Sequence, residues 1–277
     1  MNDPIFISRD GHRTWLKWHR GRRKASDPVF TGARILEAMQ LGASVEVDLV
    51  VTGDKGMAVL HDKTLDRETT GKGAVAAASD ATIRQLQLRG NDGEPIGDRV
   101  MLLDDLCRLM AQGTVHPDAL LQLDYKEDET VLDARAVENF ARASEPVARN
   151  MIVSSGSAAA LKLLTAAVPA IRSGYDASDE HRFKAALAGG TLQGFADDAV
   201  ATLDGTDLIY LYWEIVTQAA DAGFDIVEAF HKHGKRIDAW TIREASAAMQ
   251  PVVARLLELR VDQITTDDPE GLVALMG

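Results

Sequence analysis

Short apolar runs alternate with longer segments of helical periodicity along almost the whole chain, and this alternation restricts the possible folds more than any other feature. Eight runs have the length expected of buried strands. They lie at residues 15–18, 44–51, 119–125, 151–154, 170–174, 208–211, 236–241 and 262–265. Strands that alternate with helices form a parallel sheet covered by helices. Eight such units predict a (β/α)8 TIM barrel that occupies residues 1–277 as one domain.

The segment at residues 53–99 interrupts this rhythm. After the second predicted strand comes a turn, "TGDKG", then a further strand, "MAVLH", and then a loop-rich piece dense in Gly, Asp, Thr and Lys. Long irregular segments in compact domains are often functional. We therefore predict a small insertion after the second strand, on the rim of the barrel, as a lid or cap. A doubly wound open sheet is the alternative fold, but it usually carries a glycine-rich phosphate loop after its first strand, and the sequence has none there.

Charge and composition restrict the possible partners. A formal net charge of −12 and a pI near 5.0 disfavour nucleic acid and anionic membranes. The single cysteine, Cys107, excludes an intramolecular disulfide and a cysteine-based zinc site. No apolar run reaches the roughly 18–20 residues that a membrane span needs, and no signal-peptide pattern is visible. We expect a cytoplasmic protein that acts on a small molecule; the sequence does not define its oligomeric state.

Two carboxylates lie in the middle of the second predicted strand, "SVEVDLVV". Because successive side chains of a strand point to opposite faces, Glu46 and Asp48 share one face and the valines share the other. The outer face of a barrel packs against helices, so the two acids are expected to point inward, towards the C-terminal mouth. Two carboxylates there repel each other and are costly to desolvate. Either a divalent metal or basic side chains must compensate them.

The third predicted barrel strand, "LLQLDY", supplies candidates for both solutions. Asp124 would lie beside Glu46 and Asp48 on the neighbouring strand. Three carboxylates suit a hard cation, Mg²⁺ or Ca²⁺, and Lys126 would then stand ready to meet a phosphate oxygen. The alternative is an ion-pair network without a metal, formed by Glu46, Asp48, Lys126 and Arg20. Spacing alone favours neither.

Two histidines are expected at the same mouth of the barrel. His19 follows the first predicted strand in "WLKWHRG", and His61 follows the added strand in "MAVLHDK". A pair of imidazoles suits transfer at a phosphodiester, because one can take a proton from the attacking hydroxyl while the other gives a proton to the leaving alcohol. A metal and cationic side chains would stabilise the charge on the phosphate oxygens.

Together these residues form a pattern that resembles the glycerophosphodiester phosphodiesterase family. The stretches that carry the resemblance are "HRG" at 19–21, "GASVEVDLVVTGDKGMAVLHDKTLDRETTGKG" at 42–73, "LDYK" at 123–126, "DAWTI" at 238–242 and "DQITTDDP" at 262–269. They cover most of the chain in the family's order. The resemblance implies a (β/α)8 barrel with a small insertion, a role in lipid metabolism, and hydrolysis of glycerophosphodiesters to a glycerol phosphate and an alcohol, with a cyclic phosphate as the intermediate.

The resemblance also implies residue roles. It makes His19 and His61 the acid/base pair, and it makes Glu46, Asp48 and Asp124 the metal ligands. Substrate binding falls to Arg20 and Lys126, which match positions that hold the phosphate, and to Trp240, which matches an aromatic wall of the pocket.

Three departures from the family pattern bear on the substrate. Val29 and Phe30 replace polar residues after the first motif, which predicts a more apolar pocket rim. Asp124 stands where Glu is usual, and a flexible Ca²⁺ shell tolerates this shorter ligand better than Mg²⁺. The basic run at 22–24 offers a second anion contact or is a solvated loop. Two further functions therefore stay open: hydrolysis of a sugar-phosphate or opine phosphodiester, and non-catalytic binding of a phosphodiester.

Overall fold

The barrel strands form one closed ring. A computed structural model describes residues 3–203 and 205–277, and in these its strands are β1 Phe6–Arg9, β2 His12–Trp18, β3 Ser44–Val51, β4 Met57–Val59, β5 Gln87–Arg89, β6 Pro95–Arg99, β7 Leu120–Tyr125, β8 Met151–Ser155, β9 Arg172–Asp176, β10 Leu208–Tyr212, β11 Arg236–Ile242 and β12 Gln263–Thr266. Eight of these described strands run parallel around the ring in the order β2, β3, β7, β8, β9, β10, β11, β12. The pairing of β2 with β3 closes it. The predicted (β/α)8 TIM barrel is confirmed.

Helices surround this ring. They are α1 Gly32–Leu41, α2 Asp80–Ile83, α3 Leu103–Gln112, α4 Ala134–Ser144, α5 Ala158–Ala167, α6 Glu180–Gly189, α7 Leu192–Thr202, α8 Trp213–Asp221, α9 Ile226–His231, α10 Gln250–Glu258 and α11 Pro269–Met276. The residue that follows a helix can explain why the helix ends there. Gly42 follows α1 in the left-handed conformation, with φ of 85°, which glycine adopts without strain.

A strand outside the ring was not predicted. β1 pairs antiparallel with β2, Phe6 opposite Trp15, and the two rings meet edge to face with centroids 5.9 Å apart. This hairpin starts β2 at His12 rather than at residue 15. β1 has four residues and is largely half-exposed, so it lacks the apolar run by which the other strands were recognised.

The segment at residues 53–99 has more regular structure than the loop-rich piece that the sequence predicts. β4, the further strand that the sequence predicts, pairs antiparallel with β3, with Val59 opposite Leu49. The segment then contains the short helix α2 and a two-stranded hairpin of β5 and β6. Ionic contacts fasten it to the barrel, since the Arg84 guanidinium lies 2.8 Å from Asp105 and 2.6 Å from Asp104 on α3.

Both faces of β3 are buried, for different reasons. Val45, Val47 and Leu49 belong to the apolar core, as the strands of a helix-covered parallel sheet require. The opposite face points into the barrel, where the filling is partly polar. There the Lys17 Nζ lies 2.8 Å from Asp238 and also contacts Gln122. This layer fills the middle of the barrel. The polar side chains at the C-terminal ends of the strands lie beyond it, at the mouth.

No helix among the described residues has the length and apolar character needed to cross a bilayer.

Candidate active site

Neighbouring strands bring the three predicted carboxylates together. Asp48 on β3 lies directly opposite Asp124 on β7 in the strand register, and Glu46 precedes Asp48 on the same face. One oxygen from each of the three side chains lies within 4.8 Å of the others. The structure therefore assembles the cluster that the two-residue spacing predicted.

Two cations contact this cluster. The Arg20 Nε lies 3.0 Å from one oxygen of Asp48, and the Lys126 Nζ lies 2.8 Å from the other. Lys126 also contacts Asp124. The ion pairs of the metal-free alternative are thus present, but they leave Glu46 without a side-chain cation among the described residues. Its Oε2 accepts the backbone N–H of Arg20 at 3.0 Å.

The charges in the cluster are unevenly compensated. Burial, followed by the Asp48 carboxylate, raises the pKa of Glu46 well above its usual range. Burial acts in the same direction on Asp48, but Lys126 and Arg20 overcome it and hold the pKa of Asp48 at about 2. Three carboxylates thus share the Arg20 and Lys126 cations, and burial beside the Asp48 carboxylate favours the protonated form of Glu46.

This arrangement fits a divalent metal. Both Asp48 oxygens lie at ion-pair distance from a cation, yet within the described part of the chain neither accepts a well-aligned hydrogen bond. Buried oxygens of this kind are available as ligands. The donor set is entirely carboxylate, which suits hard cations such as Mg²⁺ and Ca²⁺ rather than softer metals.

Each of the two predicted histidines is oriented by an aspartate. The Nδ1 of His19 lies 2.6 Å from Asp267, and its Nε2 lies 3.8 Å from Glu46. The Nδ1 of His61 lies 2.9 Å from Asp62. Burial outweighs the bond to Asp267 and lowers the pKa of His19. With Nδ1 engaged, Nε2 is the nitrogen that is left available for proton exchange in each ring.

A buried glutamate fixes the backbone at His61. The Oε2 of Glu68 accepts the backbone N–H groups of His61 and Asp62, both at 2.9 Å. Because Glu68 is 4% exposed, the side chain that holds this loop is a buried one. The short strand β4 brings His61 to the barrel mouth, and Glu68 keeps it there.

One cavity of about 110 Å³ at the mouth joins these groups. Seven predicted site residues line it: His19, Arg20, Glu46, His61, Asp124, Lys126 and Trp240. Asp48 lies just beneath the cavity surface and is fully buried. The Trp240 ring packs against Tyr212, with ring centroids 4.2 Å apart, and this contact fixes its orientation beside the cavity.

A cavity several times larger does not coincide with this chemistry. A space of about 620 Å³ lies outside the barrel between α3 and α4, lined in part by Cys107 and Arg135. It contains none of the predicted site residues. The convergence of carboxylates and imidazoles locates the site better than volume does.

Sequence analysis did not identify four functional groups. Asp62 and Asp267 were quoted within motifs but were not recognised as partners of the histidines. Asp176 and Tyr210 line the cavity from strands β9 and β10. The position of Asp176 at the C-terminal end of β9 was a usable signal, because that end of a TIM barrel carries the active site. Tyr210 lies in the middle of β10 and gave no such signal.

Two expectations about the rim were wrong. Phe30 is 1% exposed and packs in the core, with the Arg20 guanidinium 5.9 Å above its ring, so it supports Arg20 and does not line the cavity. The basic run is ion-paired with acidic side chains, with Lys24 still exposed, and is not the free second anion contact that was expected. Arg22 lies 3.0 Å from Asp267, and acidic side chains also pair with Arg23 and Lys24.

Fold and site together define a TIM-barrel hydrolase with an acidic cluster and two imidazoles at its mouth, and comparison with known proteins identifies the family. The sequence profile of the glycerophosphoryl diester phosphodiesterase family matches residues 19–271. The chain therefore belongs to this family of phosphoric diester hydrolases.

Individual relatives agree with the assignment. A glycerophosphodiester phosphodiesterase from Caldanaerobacter subterraneus subsp. tengcongensis is 26% identical over 276 residues, covering 95% of this chain and 98% of the relative.

Solved structures share the fold. An Oleispira antarctica phosphodiesterase in complex with the product sn-glycerol-3-phosphate superposes with a TM-score of 0.67 at 21% identity, over 94% of this chain and 96% of the other. For a glycerophosphodiester phosphodiesterase from Agrobacterium tumefaciens the TM-score is 0.65 at 22% identity, over 94% and 99% of the two chains.

Proposed function

We propose that this protein hydrolyses glycerophosphodiesters to a glycerol phosphate and an alcohol, using a divalent cation and the pair His19 and His61. The observation that carries the proposal is that one cavity contains both imidazoles and two members of the carboxylate cluster, with the third directly beneath. Membership of the family and the product named for the Oleispira antarctica structure support the same substrate class.

The carboxylate cluster would hold the cation. Glu46, Asp48 and Asp124 supply the oxygens, and a bound Mg²⁺ or Ca²⁺ would stabilise negative charge on the phosphate. Arg20 and Lys126 line the same cavity. Their positive charges would bind and orient the phosphodiester between the two histidines.

The two histidines would move the protons. One Nε2 takes a proton from the attacking hydroxyl, and the other gives a proton to the oxygen of the departing alcohol. Asp267 and Asp62 hold the rings so that Nε2 faces the cavity. General acid and base groups of this kind each contribute roughly 10²- to 10⁴-fold to the rate.

Turnover of a panel of phosphodiesters tests the proposal. The panel is glycerophosphocholine, glycerophosphoethanolamine and glycerophosphoinositol, followed by ³¹P NMR with added Mg²⁺ or Ca²⁺ and with a chelator. We expect glycerol phosphate to form only when metal is present. Absence of metal-dependent release from every member of the panel would contradict the proposal.

Histidine variants test the acid/base pair. His19→Ala and His61→Ala should each lower kcat by roughly 10²-fold or more, whereas His181→Ala, at an exposed position on α6, should retain activity. Retained binding of glycerophosphoinositol by His19→Ala would separate loss of chemistry from loss of the fold. A variant of either site histidine with native kcat would remove that residue from the mechanism.

The two other functions lose two of the three features that suggested them, and only the shorter ligand Asp124 remains. An apolar rim and a free basic loop pointed towards an unusual phosphodiester or a protein that only binds, but Phe30 is in the core and the loop is ion-paired. Native-like binding without turnover of any phosphodiester would restore the binding-only function.

A further inference from the structure

The wall opposite the acidic cluster is polar, and the mechanism above does not use it. In the eight-strand ring, β10 stands four strands from β3 and is therefore across the mouth from Glu46. Three successive strands of this wall, β9, β10 and β11, place Asp176, Tyr210 and Trp240 around the same cavity. We call these three residues the far wall.

Two members of the far wall carry polar atoms that need an acceptor. The Tyr210 hydroxyl and the Trp240 Nε1 are buried, and neither has a hydrogen-bond partner within the described residues. Tyr210 is 3% exposed. Buried donors are rarely left unpaired in folded proteins, because each unpaired donor loses its bonds to water without replacement. A bound molecule with oxygen acceptors would satisfy both.

The third member needs a donor. The Oδ1 of Asp176 accepts the backbone N–H of Ser178 at 3.0 Å, and no ion pair neutralises the carboxylate among the residues that the structure describes. Burial raises the pKa of Asp176 to about 6. A hydroxyl donated by a ligand would stabilise the charged form.

The Tyr210 ring has room only because residue 174 is a glycine. The ring lies against Gly174 of β9 so closely that a Cβ at this position would overlap it. On its other side the Lys17 Nζ lies 4.3 Å from the ring centroid. Tyr210 is thus fixed between a glycine and a buried cation, as expected of a side chain whose position matters.

We propose that the far wall is a subsite for the departing alcohol and selects alcohols with free hydroxyls, such as inositol or glycerol, over alcohols with a quaternary ammonium group. This inference rests on the proposed function, since it assumes that the phosphate and its glycerol half lie at the acidic cluster. A hydroxyl can accept from Tyr210 and Trp240 and also donate to Asp176, so a polyol satisfies all three.

A quaternary ammonium fits this wall less well. It has no acceptor for the Tyr210 and Trp240 donors and no proton to donate to Asp176. The Arg243 cation already lines the same cavity, whereas Lys17, which covers Tyr210, is paired with Asp238. The attraction of Asp176 for a further cation is therefore opposed by Arg243.

Competition between two substrates that share a glycerophosphate half tests the subsite. The measured quantity is the ratio of kcat/KM for glycerophosphoinositol to kcat/KM for glycerophosphocholine. We expect the native protein to favour the inositol compound by roughly 10-fold or more. Tyr210→Phe should lower this ratio by roughly 2- to 10-fold, the cost of one neutral hydrogen bond, and Asp176→Asn should lower it further.

Matched controls remove the same groups outside the cavity. Tyr175→Phe removes a phenolic hydroxyl from a neighbouring position on β9, and Glu180→Gln removes an exposed carboxylate nearby on α6. Both should keep the native ratio. A native ratio near one, or a ratio that Tyr210→Phe and Asp176→Asn leave unchanged, would overturn the inference while leaving the proposed function intact.

Binding provides a second readout that does not need turnover. Calorimetric titration of His19→Ala with the two compounds should give the same preference, and adding Tyr210→Phe should reduce it. If the native protein hydrolyses neither compound, this result contradicts the proposed function for these substrates. Equal dissociation constants for the two compounds would then overturn the subsite as well.

Discussion

At the scale of single residues, the site depends on hydrogen-bond partners that fix the orientation of its side chains. Asp267 is the clearest case, since it binds the Nδ1 of His19 on one side and Arg22 on the other. Burial opposes ionisation of Asp267, but the bond from His19 keeps the pKa of this acid below its usual value. If His19 acts as proposed, Asp267 is a positioning residue that acts through it.

Replacing this partner should weaken catalysis more than binding. We expect Asp267→Asn to lower kcat by on the order of 10²-fold, because the ring of His19 loses its orientation and its fixed tautomer, while KM changes little. Asp197→Asn is the matched control, since Asp197 lies 3.1 Å from His233 in an exposed pair. A rise in KM together with the fall in kcat, with altered circular dichroism, would instead indicate a structural role.

The lone thiol should be chemically inert in the folded protein. Burial, followed by the nearby Asp104 carboxylate, raises the pKa of Cys107 to about 12. The reactive thiolate is therefore scarce at neutral pH. We expect a thiol-specific disulfide reagent at pH 8 to leave the native protein unmodified and to label one thiol per chain in 6–8 M urea. Rapid labelling of the native protein would contradict the burial of Cys107.

At the scale of elements, the hairpin of β5 and β6 supports the loop that follows His19. The Asn91 side chain donates to the carbonyls of Ala25 and Ser26 at 3.2 and 3.1 Å, and it accepts from Arg22 at 3.1 Å. Arg22 in turn contacts Asp267. A continuous chain of contacts therefore connects the inserted segment to the orienting partner of His19.

Breaking this connection should affect activity without unfolding the barrel. Asn91→Ala should lower kcat on the order of tenfold, because small displacements of catalytic groups are costly, while the urea midpoint stays close to native. Lys72→Ala, in an exposed part of the same segment, should keep native kcat. Equal activity of both variants would show that the segment does not influence the site through Asn91.

At the scale of the whole molecule, stability and the acidic site are coupled. The chain carries a net charge of −12, and three of its carboxylates converge on a mouth that contains two close cations. Any cation that binds the folded state and not the unfolded chain must stabilise the fold by mass action. Metal binding should consequently be visible in thermal unfolding, without reference to activity.

Thermal melts with and without Mg²⁺ or Ca²⁺ measure this coupling. At a concentration 100 times Kd the ion should add about 2.7 kcal/mol to the free energy of unfolding, which raises Tm by roughly 5–10 °C. Glu46→Gln should reduce the shift, because one ligand becomes neutral. Glu145→Gln, a change of the same kind at an exposed position, should leave it unchanged. A melt that is insensitive to both ions would argue for the ion-pair network as the complete site.

The sequence by itself determined the barrel and most of the cavity. Eight apolar runs and their spacing were enough for the closed ring, since each strand must present apolar side chains to the surrounding helices. The period of two within β3 was enough to place Glu46 and Asp48 on one inward face, and the neighbouring strand brought Asp124 to them.

Only the tertiary structure decided which groups meet across long sequence separations. The bond between His19 and Asp267 and the position of Tyr210 opposite Glu46 depend on ring closure. Neither follows from local periodicity, because a repeat along one strand specifies a face but not the partner that the closed barrel places opposite it.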